Sequence, residues 1–471
     1  MRPPRKYTGF SELVEAGARE RGCQVAFVHE RAGRVEGVTW NDFAARVQAR
    51  AAELRGDARA CEAVFADGSL ACIVEVFACA EAGIQVVLAA ADAPEQEASE
   101  LVAAGDADAV WPPSCAVGEV REALRGDDER IERPGFGRIL FFTSGTTSRA
   151  KPVALTDTSL MASAYNGSAL LPLGEDDCVL DVLPLSHVFG FVCGVLWGLS
   201  CGARIALGRG KRHLLNDART FRPTVMPLVP ALLRFFLRHH LLNPELRLVL
   251  TGAAPCPAEL VELARSAGLE VHCGYGLTET SSGVALSLGE DTGALTLCPE
   301  CTVEVSAAGE LLVSAPTCQM QGYYGRPEDT RRALEGGVLH TGDVGFIDDA
   351  GLLHVRGRGR DVVVLDSGIK LHLPSCEQRL RKELGQDDLA VVVSEGMPVL
   401  VCGEFSPTGQ ERGWNVGELT RKLRGMRLSE GRDAHIARAV ELGHPLPRTA
   451  GGDIQRWKIA KEVARCPRKS R

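Results

Sequence analysis

A short apolar run that opens into a hydroxyl-rich loop restricts the fold of this chain more than any other stretch. Residues 138–153 read RILFFTSGTTSRAKPV, and the uncharged run at 139–142 is typical of a buried strand. The next five residues offer four hydroxyls and one glycine, and cations follow at Arg149 and Lys151. Amide, hydroxyl and cationic donors at a strand end suit a polyphosphate ligand, and the alternative is a polar surface turn. A Walker loop is excluded, because no second glycine precedes the lysine and no serine or threonine follows it.

Composition and charge narrow the class of protein. The 471 residues, 45% hydrophobic and 24% charged, predict a globular chain of two or three domains. With a formal net charge of −8, the chain has no overall excess of basic residues, so we expect no nucleic-acid partner. No apolar stretch follows the N-terminal MRPPRKYTGF, and the apolar run 188–203 is short and broken by glycine. We therefore expect neither a secretion signal nor a membrane span, and a reducing cytoplasm as the compartment.

The sixteen cysteines are scattered along the chain, and the one close pair is Cys298-Pro-Glu-Cys301. A structural zinc site would need a second such pair or histidines at ligand spacing, and the sequence offers neither nearby. We interpret the cysteines as reduced thiols rather than metal ligands.

The N-terminal third predicts alternating helices and strands. Residues 25–28 and 38–40 have the form of a hairpin, and Phe43, Val47 and Leu54 follow at helical spacing. Residues 71–91 predict a buried helix that turns at Gly83 into a strand. This alternation predicts an α/β fold with parallel strands.

Several later strands are predicted to end in polar or glycine-rich turns. The run 179–185 leads to His187, which either lines a cavity or is structural. The run 248–250 leads to TGAAP and a helix from about Pro257, and 271–273 leads to GYGLTE. The sequence GLSCG at 198–202 has the letters of the G-x-S-x-G elbow of hydrolases. That elbow needs a strand before the serine and a helix after it, whereas here a helix precedes and a strand follows, so we attribute the match to chance.

The order of these motifs resembles one family. The hydroxyl loop, LPLSHVFG, TGAAP, GYGLTET, LHTGDVG, GRGRD and PLPRTAGGDIQR follow one another as in the adenylate-forming enzymes, which include acyl-CoA synthetases, aryl-CoA ligases and firefly-luciferase-like proteins. The similarity runs from about Val25 to the C-terminal region. It implies a large N-terminal AMP-binding domain of layered α/β subdomains at 1–358. It also implies a small mobile α+β lid domain at 361–471, with the hinge near Arg360.

The resemblance implies roles for individual residues. The ATP β- and γ-phosphates would be held by Thr143, Ser144, Gly145, Thr146, Thr147 and Lys151. Thr278 would contact the α-phosphate, and Glu279 would hold magnesium through a hard oxygen ligand. The nucleotide would be bound by Thr251, Gly252, Ala253, Ala254, Gly274, Tyr275, Gly276, Asp343 and Arg358. In that set Tyr275 would stack on the adenine, and Asp343 would accept both ribose hydroxyls, aided by Arg358.

The remaining implied roles concern the acid and the thiol. His187, Phe189 and Gly190 would border the pocket for the carboxylic acid, and Gly368 would line the thiol tunnel. The apolar residues that follow His187 favour an aliphatic or aromatic acid, although they would equally suit an ordinary core. The implied cofactors are ATP or AMP, Mg²⁺, and either CoA or the phosphopantetheine of a carrier protein.

The sequence departs from the family pattern at the adenylation lysine. The family's closing motif is P-R-T-x-x-G-K, and its lysine bridges the acid and the phosphate. Here 447–453 reads PRTAGGD, so Asp453 stands in the lysine's place. At an effective dielectric near 20, two unit charges about 4 Å apart interact by roughly 4 kcal/mol, so an attraction is replaced by a repulsion of comparable size. We expect adenylation to be impaired.

The phosphate loop departs from the family pattern as well. The usual T-S-G-T-T-G-x-P-K-G has become TSGTTSRAKP, with Ser148 and Pro152 in place of two glycines and Ala150 in place of the proline. Fewer glycines stiffen the loop, and Pro152 removes one amide donor.

Three hypotheses follow. The first is an ATP-dependent acid–thiol ligase with weakened or rearranged adenylation. The second is a half-enzyme that takes acyl-AMP from a partner adenylating enzyme and transfers the acyl group to CoA or a carrier-protein thiol. The third is a non-catalytic protein that binds a nucleotide or acyl-adenylate.

Overall fold

The computed structural model describes the chain in thirteen segments: 4–57, 59–116, 118–123, 138–143, 150–210, 212–239, 243–364, 370–386, 388–394, 397–403, 416–423, 436–448 and 454–465. The chain divides into two compact units. The first comprises residues 1–143, 151–341 and 345–355, and the second comprises 144–150, 342–344 and 356–471.

The strands are β1 Val25–Arg31, β2 Arg34–Thr39, β3 Cys61–Ala66, β4 Gln85–Ala90, β5 Ala109–Trp111, β6 Arg138–Phe142, β7 Pro152–Thr156, β8 Cys178–Asp181, β9 Arg204–Leu207, β10 Val225–Leu228, β11 Leu248–Thr251, β12 Glu270–Leu277, β13 Ser282–Leu286, β14 Thr296–Leu297, β15 Thr302–Val305, β16 Glu310–Ser314, β17 Gly322–Tyr323, β18 Leu334–Glu335, β19 Val338–Ile347, β20 Leu353–Arg358, β21 Val362–Val364, β22 Lys370–His372, β23 Leu389–Ser394, β24 Met397–Cys402 and β25 Arg438–Glu441. The α-helices are α1 Phe10–Arg21, α2 Trp40–Arg55, α3 Leu70–Ala82, α4 Glu95–Ala104, α5 Gly118–Ala123, α6 Asp157–Leu170, α7 Trp197–Cys201, α8 Leu214–Phe221, α9 Pro230–Arg238, α10 Ala258–Ser266, α11 Pro327–Ala333, α12 Leu373–Leu384, α13 Val416–Leu423 and α14 Arg456–Arg465. A π-helix, Gly190–Leu196, precedes α7.

A six-stranded sheet of the first unit has the order β17-β7-β6-β4-β3-β5. Strands β3 to β6 pair in parallel, as the alternation of helices and strands predicts. Helix α3 ends at Gly83, whose φ of 76° lets the chain turn directly into β4. The prediction of a buried helix followed by a strand at 71–91 is therefore confirmed. Strand β6 runs into the hydroxyl loop, and the chain returns as the antiparallel strand β7.

A nine-stranded sheet has the order β14-β13-β12-β11-β10-β8-β9-β1-β2. Its central strands pair in parallel, and β2, β13 and β14 add antiparallel edges. The predicted hairpin is the β1–β2 pair. The predicted helix is α2, which begins at a capping box on Thr39 and buries Phe43, Val47 and Leu54. The α/β prediction is confirmed.

Two predicted strand ends were wrong. Strand β8 stops at Asp181 rather than continuing to Leu185, since Pro184 has no amide to continue a ladder. Strand β12 does not end before Gly274 but continues through Leu277, because β13 folds back and supplies an antiparallel partner. The helix predicted from about Pro257 is α10, which begins at Ala258.

The core of the first unit contains the apolar strand that precedes the hydroxyl loop. Ile139, Leu140 and Phe141 are fully buried in β6. The ring of Phe141 meets Phe191 of the π-helix with 5.9 Å between centroids. A further stacked pair, Phe10 and Phe77, has centroids 4.3 Å apart. The loop therefore starts from a rigid, buried strand.

The second unit contains the three-stranded sheet β23-β24-β25 and the hairpin of β21 and β22. Arg456 of α14 binds both carboxylate oxygens of Glu377 on α12, at 3.0 and 2.9 Å, and Asp361 at 3.1 Å. Burial raises the pKa of Glu377 despite this arginine. Among the described residues, none of the helices has both the length and the apolar character of a transmembrane span.

Candidate functional site

The two ends of the hydroxyl loop are tied together where β6 and β7 meet. The amide of Thr143 donates to the carbonyl of Lys151 at 3.1 Å, which continues the β6–β7 ladder by one bond. Thr143 and Lys151 therefore hold the base of the loop. The predicted phosphate ligands Ser144, Gly145, Thr146 and Thr147 lie outside the described residues, as do Ser148 and Arg149.

Lys151, the predicted phosphate-binding cation, is held by an ion pair and an aromatic ring. Its Nζ lies 3.2 Å from Oδ1 of Asp329, and both side chains are about one-third exposed. The same Nζ lies 4.8 Å from the ring centroid of Tyr323. Strand β17 places Tyr323 there, since it pairs with Val153 of β7.

Tyr323 also reaches Glu279, the predicted magnesium ligand. Its hydroxyl donates to Oε1 of Glu279 at 2.7 Å, and the amide of Met320 donates to the carbonyl of Glu279 at 2.8 Å. Tyr323 therefore contacts both the lysine that is predicted to bind phosphate and the carboxylate that is predicted to bind magnesium. Neither Tyr323 nor Asp329 was singled out from the sequence, because their contacts depend on the pairing of β17 with β7.

A turn at 278–282 presents Thr278 and Glu279 at the partly exposed end of β12. Ser281 and Ser282 adopt positive φ values of 52° and 108°, which are strained for these residues. Two serines of α6 support this turn: Ser159 accepts from Ser281 at 3.1 Å, and Ser163 accepts from the amide of Gly283 at 3.3 Å. Backbone strain held by buried hydrogen bonds is typical of a functional site.

The TGAAP segment follows the carboxyl end of β11. Thr251 is buried and donates from Oγ1 to the carbonyl of His272 at 3.2 Å. Ala253 has a φ of 63° and, with Ala254, is exposed. A side chain at Gly252 would place its Cβ 2.9 Å from ring carbons of Phe189. The absence of that side chain lets the ring of Phe189 lie directly against the Gly252 backbone.

The GYG segment is built around a β-bulge. The register of β12 against β13 shifts between Tyr275 and Gly276, and a bulge of this kind redirects the neighbouring side chains. A Cβ at Gly276 would lie 1.4 Å from the carbonyl oxygen of Ser282, so only glycine fits there. Gly274 precedes the bulge beside Thr251, and Tyr275 is half-buried against the main core.

His187, Phe189 and Gly190 lead into the π-helix. A Cβ at Gly190 would meet the carbonyl of Pro184 at 2.4 Å, so a glycine is needed for this tight entry. His187 reaches the surface, yet desolvation by the surrounding protein lowers the pKa of its imidazole. A π-helix is uncommon and is often found at functional sites. The sequence predicted an apolar helix here but gave no signal for its π geometry.

An apolar cavity lies behind the π-helix. It is lined by α6, the π-helix, α7, β11 and β13, and its lining residues are Ser163, Ala164, Gly167, Leu171, Val192, Cys193, Trp197, Leu250, Ser282, Gly283, Leu286 and Cys298. No charged side chain is among them. Cys193 and Ser282 supply thiol and hydroxyl groups 3.8 Å apart.

A buried carboxyl group touches the same π-helix. Asp181, at the end of β8, is 4% exposed, and its Oδ1 has no hydrogen-bond partner in the described part of the chain. Burial raises the pKa of Asp181 to about 8 against a weaker opposing bond from the amide of Leu183. A Cβ at Gly194 would lie 2.5 Å from Oδ1, so this carboxyl group packs on the π-helix backbone. The sequence gave no reason to single out Asp181 within its apolar run.

The second unit contains the predicted ribose-binding pair. Nε of Arg358 lies 3.0 Å from Oδ1 of Asp343, whose side chain is 6% exposed. Gly342, with a φ of 68°, forms the turn before Asp343. Arg360 lies in a short 3₁₀ segment at 359–361. Gly368 and Asp453 lie outside the described residues.

The chain is similar to a known family over its central part. Residues 129–324 match the family model described as AMP-binding enzyme. The oxalate–CoA ligase of Arabidopsis thaliana is 28% identical over 367 residues, which cover 72% of this chain and 70% of that protein. The 2-succinylbenzoate–CoA ligase of Bacillus cereus is 32% identical over 244 residues, which cover 48% of this chain and 50% of that protein.

Solved structures are similar over nearly the whole chain. The O-succinylbenzoate coenzyme A synthetase of Bacillus subtilis in complex with AMP has a TM-score of 0.80 at 22% identity, covering 97% of this chain and 98% of that one. The anthranilate CoA ligase in complex with anthranoyl-AMP also has a TM-score of 0.80, at 19% identity, covering 98% of this chain and 99% of that one. At these identities the likeness shows the fold.

Proposed function

We propose a reaction for this chain on the premise that it belongs to the family of AMP-binding, adenylate-forming enzymes and is an ATP-dependent acid–thiol ligase by class. It activates a carboxylic acid as acyl-AMP and transfers the acyl group to the thiol of CoA or of a carrier protein. Its own adenylation step is impaired, because Asp453 stands in place of the adenylation lysine.

One contact carries this proposal. The ring of Phe189 lies against the backbone of Gly252, so the residues proposed to border the acid meet the residues proposed to border the adenine. An adenylating enzyme must hold the carboxylate next to the α-phosphate, and neighbouring pockets supply that proximity. A protein that bound only a nucleotide would not need the second pocket.

The proposed chemistry begins with the acid attacking the α-phosphate and displacing pyrophosphate. Negative charge builds on phosphate oxygens, and groups fixed in advance stabilise it. Thr278 is proposed to contact the α-phosphate from the strained turn. Lys151 and the hydroxyl loop are proposed to hold the β- and γ-phosphates. In the second unit, Asp343 is proposed to accept the ribose hydroxyls while paired with Arg358.

Glu279 fits a magnesium ion. Its carboxylate is a hard oxygen ligand, one oxygen is fixed by the hydroxyl of Tyr323, and no cation is paired with it in the described segments. Bound there, Mg²⁺ would neutralise charge on the phosphates. Tyr323 would orient the carboxylate for this purpose.

The apolar lining behind the π-helix supports an apolar acid as substrate, and the cavity there, of about 30 Å³, would have to widen to admit one. Its lining holds no charge that could pair with a second carboxylate. An aliphatic or aromatic acid without a second charged group is therefore the proposed substrate. The relatives named for dicarboxylic acids, oxalate and 2-succinylbenzoate, would differ from this chain in that respect.

Domain rotation is proposed for the second half-reaction. The proposed boundary places the AMP-binding domain at 1–358 and the lid domain at 361–471, with Arg360 as the hinge. A rotation of the lid would open a path for the thiol past Gly368. The reducing cytoplasm remains the proposed compartment, and the described cysteines are free thiols.

A second candidate function is favoured by Asp453. A half-enzyme that accepts acyl-AMP from a partner adenylating enzyme would need the nucleotide and thiol sites but not the lysine. Such a protein would perform only the thiol attack that expels AMP. The residues of the first unit serve both candidates equally.

Two single-turnover assays on the full chain distinguish the candidates. One supplies ATP, Mg²⁺ and a panel of apolar acids, and the other supplies preformed acyl-AMP and CoA. The variants are Asp453→Lys, which restores the cation, and Asp453→Asn, a control that removes the anion without adding a cation. We expect slow acyl-AMP formation by the wild type and at least about tenfold acceleration in Asp453→Lys, from regained charge stabilisation.

The results of the two assays assign the protein to one candidate function or another. Thioester from acyl-AMP, with no acyl-AMP from ATP until Asp453→Lys is introduced, would identify the half-enzyme. No turnover in either assay, with nucleotide binding retained, would contradict both enzymatic candidates and leave the binding protein. Acyl-AMP formation from ATP must be lost in Glu279→Ala if the proposed site performs it.

A further inference from the structure

We propose that the indole ring of Trp197 closes a groove for the acyl group and limits the acid to a short aliphatic one, of about two to four carbon atoms. This limit rests on the function proposed above, because it names the acid of the same site more narrowly. The groove is the apolar cavity between α6 and the π-helix, and all of its lining residues belong to the first unit.

The cavity follows one face of α6 and the residue after it. The lining residues there are Ser163, Ala164, Gly167 and Leu171, which recur at helical spacing. At a rise of about 1.5 Å per residue, the stretch from Ser163 to Leu171 spans roughly 12 Å. The cavity is therefore the open part of an elongated groove, with Ser163 near one end and Leu171 near the other.

The Ser163 end of the groove adjoins the strained turn at 278–282. The amide of Gly283 donates to Oγ of Ser163 at 3.3 Å, and Ser282 of the turn lines the cavity. Thr278, which is proposed to contact the α-phosphate, lies in the same turn. A carboxylate bound beside the α-phosphate would therefore remain outside the cavity and direct its carbon chain along α6.

The indole ring of Trp197 closes the far end of the groove. Its Nε1 donates to the carbonyl of Leu171 at 3.1 Å, and the residue is 2% exposed. A Cβ at Gly198 would lie 2.5 Å from Cδ1 of Ile205 and 2.9 Å from Cγ2 of Val179. The backbone of α7 therefore lies directly on β8 and β9 and cannot withdraw. A longer acid would meet the fixed ring rather than open space.

The size of the cavity sets the length of the acid. Its volume is about 30 Å³, and on this scale a group the size of a water molecule needs about 10–15 Å³. About two or three such groups fit, which matches the carbon atoms beyond the carboxyl group in an acid of three or four carbons. An aromatic ring or a longer chain fits only if the ring of Trp197 moves.

Gly167 keeps the middle of the groove open. It lies inside α6, where glycine is a weaker helix former than alanine. Packing does not require a glycine here, because a Cβ would lie 3.7 Å from Cδ1 and 4.0 Å from Nε1 of Trp197, which are ordinary contact distances. A methyl group at this position would instead occupy part of the cavity. The space that it leaves for a ligand explains the missing side chain.

The test measures how binding depends on acyl length. Acyl sulfamoyl adenosines, which are stable analogues of acyl-AMP, are titrated into the full-length protein by calorimetry, with acyl groups of two, four, six and eight carbons. Each CH₂ group that enters the groove should tighten binding about fourfold, so the four-carbon analogue should bind at least about tenfold more tightly than the two-carbon one. The eight-carbon analogue should bind at least about tenfold more weakly than the four-carbon one, because Trp197 obstructs it.

Two variants change the groove in opposite directions. Trp197→Leu should tighten binding of the eight-carbon analogue at least about tenfold and leave the two-carbon analogue unchanged. Gly167→Ala should weaken binding of the four-carbon analogue about fourfold without lowering the thermal midpoint. Trp40→Leu is the matched control, because Trp40 is buried in the same core cluster but does not line the cavity. It should lower the midpoint without changing the length preference. Gly167→Ala still decides the case if Trp197→Leu does not fold.

The results distinguish failure of the length limit from failure of the proposed function. Equal binding of all four lengths by the wild type, or a length preference that both groove variants leave unchanged, overturns the limit and leaves the ligase intact. Weak binding beyond four carbons, with no thioester formed from the four-carbon acyl-AMP and CoA, supports the limit and contradicts the ligase. A protein that binds none of the analogues contradicts both.

Discussion

Replacing Asp181 with asparagine should make the stability of this protein less sensitive to pH. The folded chain holds this carboxyl group at 4% exposure, with a pKa raised by burial to about 8, compared with an ordinary value of 3.8. The folded state therefore keeps a proton that the unfolded state releases. Its contribution to stability is complete below pH 3.8 and is lost as the pH rises towards 8.

The magnitude follows from the distance between those two pKa values. Each unit corresponds to about 1.4 kcal/mol, so the free energy of unfolding should fall by up to about 5 kcal/mol between pH 4 and pH 8 through this group alone. Asparagine cannot ionise, but its amide leaves a buried polar group without a partner at a cost of about 1–3 kcal/mol. Asp181→Asn should therefore destabilise the protein at pH 4 and stabilise it at pH 8.

Calorimetric unfolding of the full chain at pH 4, 6 and 8 measures this change of sign. For a domain of this size, each kcal/mol shifts the midpoint by about 2–4 °C, so the variant should cross from below the wild type to above it by several degrees. Asp177→Asn is the matched control, because Asp177 lies four residues earlier, immediately before β8. Burial would raise the pKa of Asp177, but hydrogen bonds from Arg247, Gly174 and Thr224 outweigh burial and lower it. Asp177 therefore stabilises the fold above its unfolded pKa, and its loss should lower the midpoint at all three pH values.

A constant offset between Asp181→Asn and wild type across this pH range would refute the reasoning. It would mean that Asp181 has the same charge in the folded and unfolded states, and hence that water or an ion reaches it beside the π-helix.

Three further changes test the site. Gly276→Ala should destabilise the protein by about 1–3 kcal/mol or more, because its Cβ would lie 1.4 Å from a carbonyl oxygen, whereas Gly283→Ala, with open space around it, should leave the thermal midpoint nearly unchanged. Tyr323→Phe removes the hydroxyl that fixes Glu279 and should raise the Mg²⁺ concentration for half-maximal turnover about three- to tenfold; an unchanged value would remove the tyrosine from the site. Asp329→Asn releases Lys151 from its ion pair and should tighten ATP binding in titration calorimetry by up to about fivefold, with no gain expected at high salt.

Patterns that repeat along the chain predicted much of the fold. Local periodicity is enough to predict a single helix or strand and the face that it buries. Two examples are the helical spacing of Phe43, Val47 and Leu54 and the apolar run before the hydroxyl loop. The motif order from TSGTT to PLPRTAGGD gave the resemblance to the adenylate-forming enzymes, and the alternation of helices and strands predicted the α/β class. The residues predicted at Gly252 and Glu279 lie just beyond the carboxyl ends of the neighbouring strands β11 and β12, whereas Tyr275 lies inside β12.

The contacts between distant segments were decided by the tertiary structure alone. Tyr323 reaches Glu279 only because β17 pairs with β7. The burial of Asp181 and the π geometry after Phe189 likewise depend on how the nine-stranded sheet packs against its helices. Local sequence fixes a residue's chemistry and periodicity, whereas its pKa, its partners and its access to solvent are set by neighbours that are far away along the chain.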